Sequence, residues 1–208
     1  MIMEYKLKEF SSPQAMMSSD FYELKSFHWE APVPYRPQTF GNIGVISDSL
    51  FAILKCYEAE PKAVYTKRDE PIYEDSCLEL FVAPVSERKE YINVECNSKG
   101  VFLCEFGDGK YNRRLVRSLT ELSPEVESFH GTDSKGDYWG VKIQLTRSFV
   151  ADLYCIDENN INFDTVRLNF YKCGDGCEIQ HYLAFLPVTT LPPGFHNPQC
   201  FATFKREN

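Results

Sequence analysis

The segment Cys77-Leu-Glu-Leu-Phe-Val-Ala83 has an aliphatic side chain at every second position, with Glu79 among the residues between them. Successive side chains of a β-strand point to opposite faces, so the segment predicts a strand with one apolar and one polar face. The segment Glu90-Tyr-Ile-Asn-Val-Glu-Cys-Asn97 follows closely and alternates in the same way. We therefore predict a half-buried antiparallel pair of strands.

The polar face of this pair differs from an ordinary solvent-facing surface, which would carry mainly Lys, Thr and Ser. It presents a phenol, carboxamides and carboxylates, contributed by Glu79, Tyr91, Asn93, Glu95 and Asn97. Such groups donate and accept hydrogen bonds, and hydroxyl groups are suitable partners for them. We expect this face to be a binding surface.

Length and composition indicate a single domain over residues 1–208, because 43% of the 208 residues are apolar and 25% are charged, which is typical of a globular chain with a sizeable core. Residues 1–24 are expected to form a loosely ordered N-terminal extension or an edge strand. No apolar run approaches the roughly 18 residues that cross a membrane, so no membrane partner is expected. The N-terminus lacks the apolar segment of a secretory signal, which predicts a cytoplasmic protein, or a secreted one if an export signal was removed.

The charge balance argues against a nucleic-acid partner. The formal net charge is −8, whereas phosphate binding needs a basic stripe. The densest basic cluster, residues 110–117, is interpreted as a solvated loop.

The eight cysteines are expected to be reduced, since several fall inside strand patterns, where a thiol behaves as a small apolar group. The stretch Cys173-Gly-Asp-Gly-Cys177 lacks the second pair of ligands that a zinc site needs. We interpret it as a turn and assign no metal ligands.

The remaining sequence predicts an all-β fold, a β-sandwich or jelly roll of about ten strands. Short helical turns are expected at Thr120–Glu127 and Arg147–Leu153. Gly100, in a tight connection after Asn97, is suited to a positive φ angle. The predicted strands are Ile43–Ser47, Leu50–Tyr57, Ala63–Thr66, Cys77–Ala83, Glu90–Asn97, Val101–Phe106, Tyr138–Leu145, Val166–Lys172, His181–Pro187 and Phe201–Lys205.

The predicted strand Val166–Lys172 carries a second polar face, formed by Arg167, Asn169 and Tyr171. If it lies beside the first pair, one concave surface collects carboxylates, amides and an arginine. The alternative is a surface ion pair between Arg167 and one of the strand glutamates, which contributes little when exposed.

Four stretches of the chain, in their order and spacing, resemble carbohydrate-binding module family 9, specifically its stand-alone bacterial relatives. They are Asp75-Ser-Cys-Leu-Glu-Leu-Phe81, Tyr91-Ile-Asn-Val-Glu-Cys-Asn97 with Gly100, Asn169-Phe-Tyr-Lys-Cys-Gly-Asp175, and Pro193-Gly-Phe-His-Asn-Pro198 followed by Phe201. Upstream, Trp29, Tyr35-Arg-Pro37 and Ala63-Val-Tyr-Thr-Lys67 fit the same pattern.

The resemblance implies a non-catalytic β-sandwich that holds a mono- or oligosaccharide, often at a polysaccharide chain end, between two aromatic rings. Pyranose C–H faces pack on aromatic faces, and hydrogen bonds select the hydroxyl groups. By this resemblance Tyr73 and Phe195 are the clamp aromatics, Glu79 and Asn97 belong to the polar floor, and His196 could donate to a hydroxyl. Further polar groups on the neighbouring strand are Arg167, Asn169 and Tyr171.

The chain departs from the family pattern at three positions. Tyr73 and Phe195 stand where the best-known sugar-binding members have tryptophan, and Glu95 stands where those members can carry arginine. Some members bind structural calcium, which Asp69-Glu70 and Glu74-Asp75 could provide, although their spacing is not a recognised calcium loop. No other cofactor is expected.

Other functions are weighed against sugar binding. A glycoside-acting enzyme would use Glu79 and Glu95 as acid and base, with carboxyl groups ~5–9 Å apart, but an open ladder position would offer little desolvation to separate their pKa values. A haem site is disfavoured because all four Met residues lie in the first 17 positions. A protein-interaction sandwich that has lost its sugar is the remaining alternative.

No nucleophile triad is indicated, because the chain has no Gly-x-Ser-x-Gly elbow and its histidines, His28, His130, His181 and His196, are scattered. His181 precedes an apolar strand and is interpreted as a structural histidine. Trp139 alternates with apolar neighbours and is interpreted as a core residue.

Overall fold

The computed structural model describes residues 4–27, 35–190 and 193–206, and these fold into thirteen strands and two short α-helices. Single 3₁₀ turns lie at Ile72–Glu74, Val116–Ser118, Glu158–Asn160 and Pro198–Cys200. The strands are β1 (Glu4–Phe10), β2 (Tyr22–Glu23), β3 (Thr39–Ile46), β4 (Ser49–Cys56), β5 (Cys77–Ala83), β6 (Tyr91–Asn97), β7 (Phe102–Gly107), β8 (Arg113–Leu115), β9 (Glu125–Asp133), β10 (Gly136–Thr146), β11 (Thr165–Cys173), β12 (Tyr182–Ala184) and β13 (Ala202–Arg206). The helices are α1 (Pro13–Met17) and α2 (Arg147–Tyr154).

Two sheets share the strand β1. Its first half pairs in parallel with β13, at the end of the sheet β8-β7-β6-β5-β11-β13. The short strand β12 pairs with β11 in the same sheet. Its second half runs parallel to β3 and opens the sheet β3-β4-β10-β9, with β2 beside β3. The N-terminal segment, which was expected to be a loosely ordered extension or an edge strand, therefore contributes the strand that joins the two sheets.

One hydrophobic core fills the space between the sheets, and both contribute their apolar faces to it. Trp139 lies in this core and is fully buried, as predicted. Members from the first sheet include Leu78, Leu80, Val82, Ile92, Val94 and Cys96, and members from the second include Leu54, Val141 and Ile143. The alternation in β5 and β6 therefore has the predicted direction, with the polar set on the other face. The all-β sandwich is confirmed.

Nine of the ten predicted strands are present, β5 with the predicted bounds and the other eight with shifted ends. Ala63–Thr66 is the exception: it is a loop whose Val64 and Tyr65 amides donate to the Asp75 carboxylate. The helical turn predicted at Arg147–Leu153 is confirmed as α2, which begins after Thr146, whose hydroxyl oxygen accepts from the Phe149 amide. Gly100 has the expected positive φ of 76°.

The helical turn predicted at Thr120–Glu127 is wrong. Residues from Glu125 onward form β9, which pairs antiparallel with β10 from Glu125 opposite Gln144 to Asp133 opposite Gly136. The long neighbouring strand offers a ladder of hydrogen-bond partners, and this tertiary pairing outweighs the local helical preference.

A buried ion pair lies on the core face of β11. The Lys172 ammonium is 3.7 Å from the Glu58 carboxylate and donates to the Ser76 hydroxyl oxygen at 2.8 Å. Trp139 donates its indole N–H to the same carboxylate. His181 shares a hydrogen bond with Lys172, and burial together with this lysine lowers the pKa of His181 to about 4. The structural role predicted for His181 is confirmed.

None of the eight cysteines forms a disulfide. Among the residues described, no helix is long and apolar enough to cross a membrane.

Candidate binding site

A cavity of about 760 Å³ opens on the polar face of β5 and β6. Its floor and walls combine carboxyl groups with aromatic rings. The walls come from the 3₁₀ turn before β5, the β7–β8 loop, the segment after β11 and residues 193–197. The lining residues are Tyr73, Glu79, Phe81, Glu95, Lys110, Tyr111, Cys173, Asp175, Tyr182, Thr190, Pro193, Gly194, Phe195, His196 and Asn197.

Strand register brings the two predicted glutamates together at the floor. Glu79 lies directly opposite Glu95 on β6, and its other neighbour, on β11, is Tyr171. The polar face was expected to be open, but Glu79 is only 2% exposed and Glu95 only 4% exposed. Phe81, Tyr91 and Tyr171 pack under Phe195 and Phe201 on this same face, which buries it.

Glu95 has one satisfied and one unsatisfied carboxyl oxygen. Oε1 accepts a hydrogen bond of 2.8 Å from the Asn93 amide, whereas Oε2 is buried and has no hydrogen-bond partner. Burial raises the pKa of Glu95 to about 8, with a further rise from Glu105 and opposing contributions from Asn93 and Arg113. The carboxyl group therefore carries a proton at neutral pH.

Glu79 is equally withdrawn from water. Its Oε1 accepts a hydrogen bond from the Cys173 thiol at 2.8 Å. Burial raises the pKa of Glu79 well above its usual range, and Cys173 and Glu95 raise it further. The sulfur atoms of Cys77 and Cys173 and a carboxyl oxygen of Glu79 also lie within 4.8 Å of one another, which is close enough for the three to bind one metal ion together.

Arg113 is a site residue that the sequence analysis missed, because the whole basic cluster was interpreted as a solvated loop. Its guanidinium is buried beside Asn93 on the cavity side of the sheet, where Nε donates to the Asn93 Oδ1 at 2.9 Å and lies 3.5 Å from the Glu105 carboxylate. The guanidinium carbon lies 4.2 Å from the centre of the Tyr91 ring. Arg113 therefore orients Asn93, which in turn donates to Glu95.

Aromatic side chains with very different exposures line the cavity. Tyr73 is 39% exposed there. Phe195 stacks on Tyr171 with ring centres 4.1 Å apart and planes at 13°, and the Tyr171 hydroxyl donates to the Phe195 carbonyl. Tyr111 is 90% exposed at the rim, and Tyr182 also lines the cavity. Neither Tyr111 nor Tyr182 was predicted, since neither falls in a matched motif.

His196 lines the cavity beside Phe195. Its Nδ1 and the Tyr91 hydroxyl share a hydrogen bond of 2.9 Å, and its ring lies 4.8 Å from that of Phe81. Burial lowers the pKa of His196 to about 3, helped by Arg113 and Lys110. The imidazole is therefore neutral at pH 7 and can act as a hydrogen-bond partner without adding charge.

The structure gives two predicted floor residues a different task. Asn97 donates to Asp75 and to the Tyr65 carbonyl, and its oxygen accepts from the amides of residues 99 and 101. Asn169 donates to the carbonyls of residues 186 and 200, and its oxygen accepts from the amides of residues 170 and 186. With all these bonds made inside the protein, both amides hold loops and do not line the cavity.

Arg167 and Tyr171 also lie outside the cavity lining. Arg167 donates to the Pro198 carbonyl at 3.5 Å. The ion pair considered between Arg167 and one of the strand glutamates is not found among the residues that the structure covers. Tyr171 supports the cavity indirectly, because Phe195 stacks on its ring.

The acidic residues considered for calcium already have partners within the protein. Both Asp75 oxygens accept hydrogen bonds, Asp69 pairs with Arg117 at 3.0 Å, and Glu70 accepts from the amides of residues 66 and 67. Glu74 accepts from the Tyr65 hydroxyl. Carboxylates engaged in this way do not fit a calcium site, so calcium binding stays a prediction without support from these loops. Trp29 and His28, named from the sequence, lie outside the described residues.

One family model matches most of the chain, and the similar solved structures share its fold. The model of carbohydrate-binding family 9 matches residues 11–206. A crystal structure from Bacteroides uniformis, named “putative carbohydrate-binding protein”, is similar over 98% of this chain and 99% of its own, with 24% identity and a TM-score of 0.78. No curated protein sequence matches the chain.

Two further solved structures show a similar fold at low identity. Both are of a family 9 carbohydrate-binding module from Caldicellulosiruptor kristjanssonii. The complex with cellotriose covers 99% of this chain and 94% of its own, at 8% identity and a TM-score of 0.60. The complex with glucose covers 99% and 96%, at 8% identity and a TM-score of 0.61.

Proposed function

Because the chain belongs to carbohydrate-binding family 9, we propose that it is a non-catalytic domain that binds a mono- or oligosaccharide in the cavity over β5 and β6. The observation that carries the proposal is the meeting of Glu79 and Glu95 with Tyr73, Phe195 and the rest of the lining in one cavity. The family 9 structures with glucose and cellotriose support this ligand class.

The chemistry of the lining suits a sugar. Aromatic rings such as Tyr73 and Phe195 offer apolar faces to the C–H groups of a pyranose. Carboxyl groups such as Glu79 and Glu95 hydrogen-bond to hydroxyls, and a ligand hydroxyl can satisfy the open Oε2 of Glu95. A hydrogen bond from the ligand to this oxygen removes the free-energy cost of leaving it buried and unpaired.

Electrostatics favour binding over hydrolysis. An acid–base pair needs one carboxyl protonated and the other ionised at the working pH. Burial moves the pKa values of Glu79 and Glu95 in the same direction, upward. The sequence-based argument against an enzyme assumed little desolvation, whereas both carboxyl groups are strongly desolvated. The argument against hydrolysis now rests on the fact that both pKa values are raised, whereas an acid–base pair needs them to differ.

Calorimetric titration with glucose, cellobiose and cellotriose tests the proposal. We expect heat of binding for at least one sugar with a Kd in the micromolar to millimolar range, which corresponds to about −4 to −8 kcal/mol. Absence of binding to all three sugars and to a wider glycan array at millimolar concentration would contradict it.

A further inference from the structure

The cavity contains more acid than base. Three carboxyl groups, from Glu79, Glu95 and Asp175, belong to its lining. Glu95 is only 4% exposed, and its Oε2 is buried with no hydrogen-bond partner. Ionising these buried carboxyl groups costs free energy as long as no counter-charge faces them, and a cationic ligand would supply that counter-charge.

The nearby cations offset these carboxyl groups only in part, because Arg113 lowers the pKa of Glu95 by less than burial raises it. Arg113 lies beside Asn93, and its guanidinium already bonds to Asn93 and to backbone carbonyls and faces the Glu105 carboxylate. Lys110 is exposed at the rim, 5.9 Å from the Tyr111 ring centre. His196 is neutral at pH 7.

We propose, building on the proposed function, that the preferred ligand is an amino sugar whose ammonium group pairs with Glu95 and Glu79. An ammonium group donates up to three hydrogen bonds, so one ammonium group can pair with the buried, unpaired Oε2 of Glu95 and with a second carboxyl oxygen. Charge-assisted hydrogen bonds of this kind are roughly twice as strong as neutral ones. An uncharged sugar can satisfy the same oxygen but gains no charge pairing.

Binding of a cation at this place must release a proton. Without ligand, Glu95 is protonated at pH 7, because burial and the carboxyl groups of Glu105 and Asp175 raise its pKa by more than the Asn93 amide and Arg113 lower it. Glu79, which faces it from β5, also has a raised pKa. When an ammonium group arrives, the ionised carboxylate becomes favoured and the proton leaves to the buffer. A neutral sugar leaves the carboxyl group protonated, so the number of protons released separates the two cases.

Titration calorimetry at pH 7 with glucosamine, glucose and N-acetylglucosamine tests this inference, run in two buffers with different ionisation enthalpies. We expect glucosamine to bind at least about tenfold more tightly than the two uncharged sugars, with release of about one proton per site. In Glu95→Gln, which keeps the shape and removes one of the two paired carboxyl groups, the ratio of the dissociation constants should fall towards one. The matched control is Glu127→Gln, which changes a carboxylate that is 70% exposed on β9 and should keep the full ratio.

The outcomes separate the two proposals. Equal binding of all three sugars without proton release, or weaker binding of glucosamine, overturns the amino-sugar inference and leaves sugar binding intact. Absence of binding by every sugar overturns both. Should Glu95→Gln fail to fold, Glu79→Gln and the proton count in the unaltered protein provide the same decision.

Discussion

Glu79 and Glu95 lie directly opposite each other on neighbouring antiparallel strands, and both are buried beneath one cavity. Side chains that face each other across such a ladder start from Cβ atoms about 4.5–5.5 Å apart, which is close enough for two carboxyl groups to affect each other's ionisation. Both therefore hold protons at a pH where an exposed glutamate is ionised. The charge of the site is thus set by its surroundings and by its ligand.

We expect Glu95→Gln to make stability less dependent on pH. Burial raises the pKa of Glu95 from 4.5 to about 8 in the folded protein, so the folded state binds more protons than the unfolded state between these values. Stability must then fall as pH rises through this range and level off above it. Relative to the original protein, Glu95→Gln should gain about 2–5 kcal/mol between pH 4.5 and pH 9.

Urea unfolding at pH 4.5, 7 and 9 measures this change. Glu127→Gln, on an exposed part of β9, should unfold in parallel with the original protein at all three pH values. A constant difference between Glu95→Gln and the original protein across this range would show that Glu95 is ionised in the fold.

Tyr73→Ala and Phe195→Ala should each weaken sugar binding at least tenfold. Each change removes an aromatic face from the cavity lining, and such a face is worth about 0.5–1.5 kcal/mol beyond its buried area. Phe195→Ala should also lower stability, by about 1–2 kcal/mol, because it removes the ring that stacks on Tyr171.

Calorimetry of the folded variants, with circular dichroism as the folding check, tests the two aromatic positions. Tyr73→Phe keeps the ring and should retain most of the affinity. Leu122→Ala, an exposed residue outside the cavity lining, should bind as the original protein does. Unchanged affinity in both alanine variants would refute the clamp role.

Tyr111→Ala should reduce affinity severalfold while leaving stability within about 0.5 kcal/mol. The Tyr111 ring is 90% exposed and lines the rim of the cavity, so it contributes little to the fold and is available to a bound sugar. We expect the loss to be greater for a trisaccharide than for a monosaccharide, since a longer ligand extends towards the rim. Equal losses for both ligands would remove Tyr111 from the binding surface.

Strand alternation allowed the floor of the site to be predicted from the sequence. The apolar positions of β5, β6 and β11 had to face a core, and this requirement fixed the direction of Glu79, Glu95 and their neighbours. Burial of that floor was not predictable, because the covering segment 193–201 is far away in the sequence and shows no strand or helix pattern.

The roles of individual amides also exceeded what a sequence can indicate. Asn97 and Asn169 have the same chemistry whether they bind a sugar or a loop carbonyl, and only tertiary contacts show that they hold loops. Arg113 was missed for a related reason: β8 is three residues long, and its pairing with β7 is what places the guanidinium beside Asn93. Long strands with one buried face were predictable, whereas short pairings and loop contacts were not.

Lys172→Met should destabilise the fold by about 3–5 kcal/mol, because it leaves the Glu58 carboxylate buried without its cation. Burial alone would raise the pKa of Glu58, but Lys172, with Ser76 and Trp139, lowers it below its usual value. The ion pair thus contributes stability that is present above the unfolded-state pKa of Glu58 and is lost as pH falls through the folded value.

The double variant Lys172→Met/Glu58→Gln separates a lost ion pair from a lost packing contact. With both charges removed, we expect it to unfold at a higher urea concentration than Lys172→Met alone, since no unpaired charge stays buried. Sugar affinity of the folded fraction should be unchanged in both variants, because Lys172 lies on the core face of β11 and outside the cavity lining. If the two changes destabilise additively, the pair does not act as a unit and Lys172 is held by Ser76 and the Cys173 carbonyl instead.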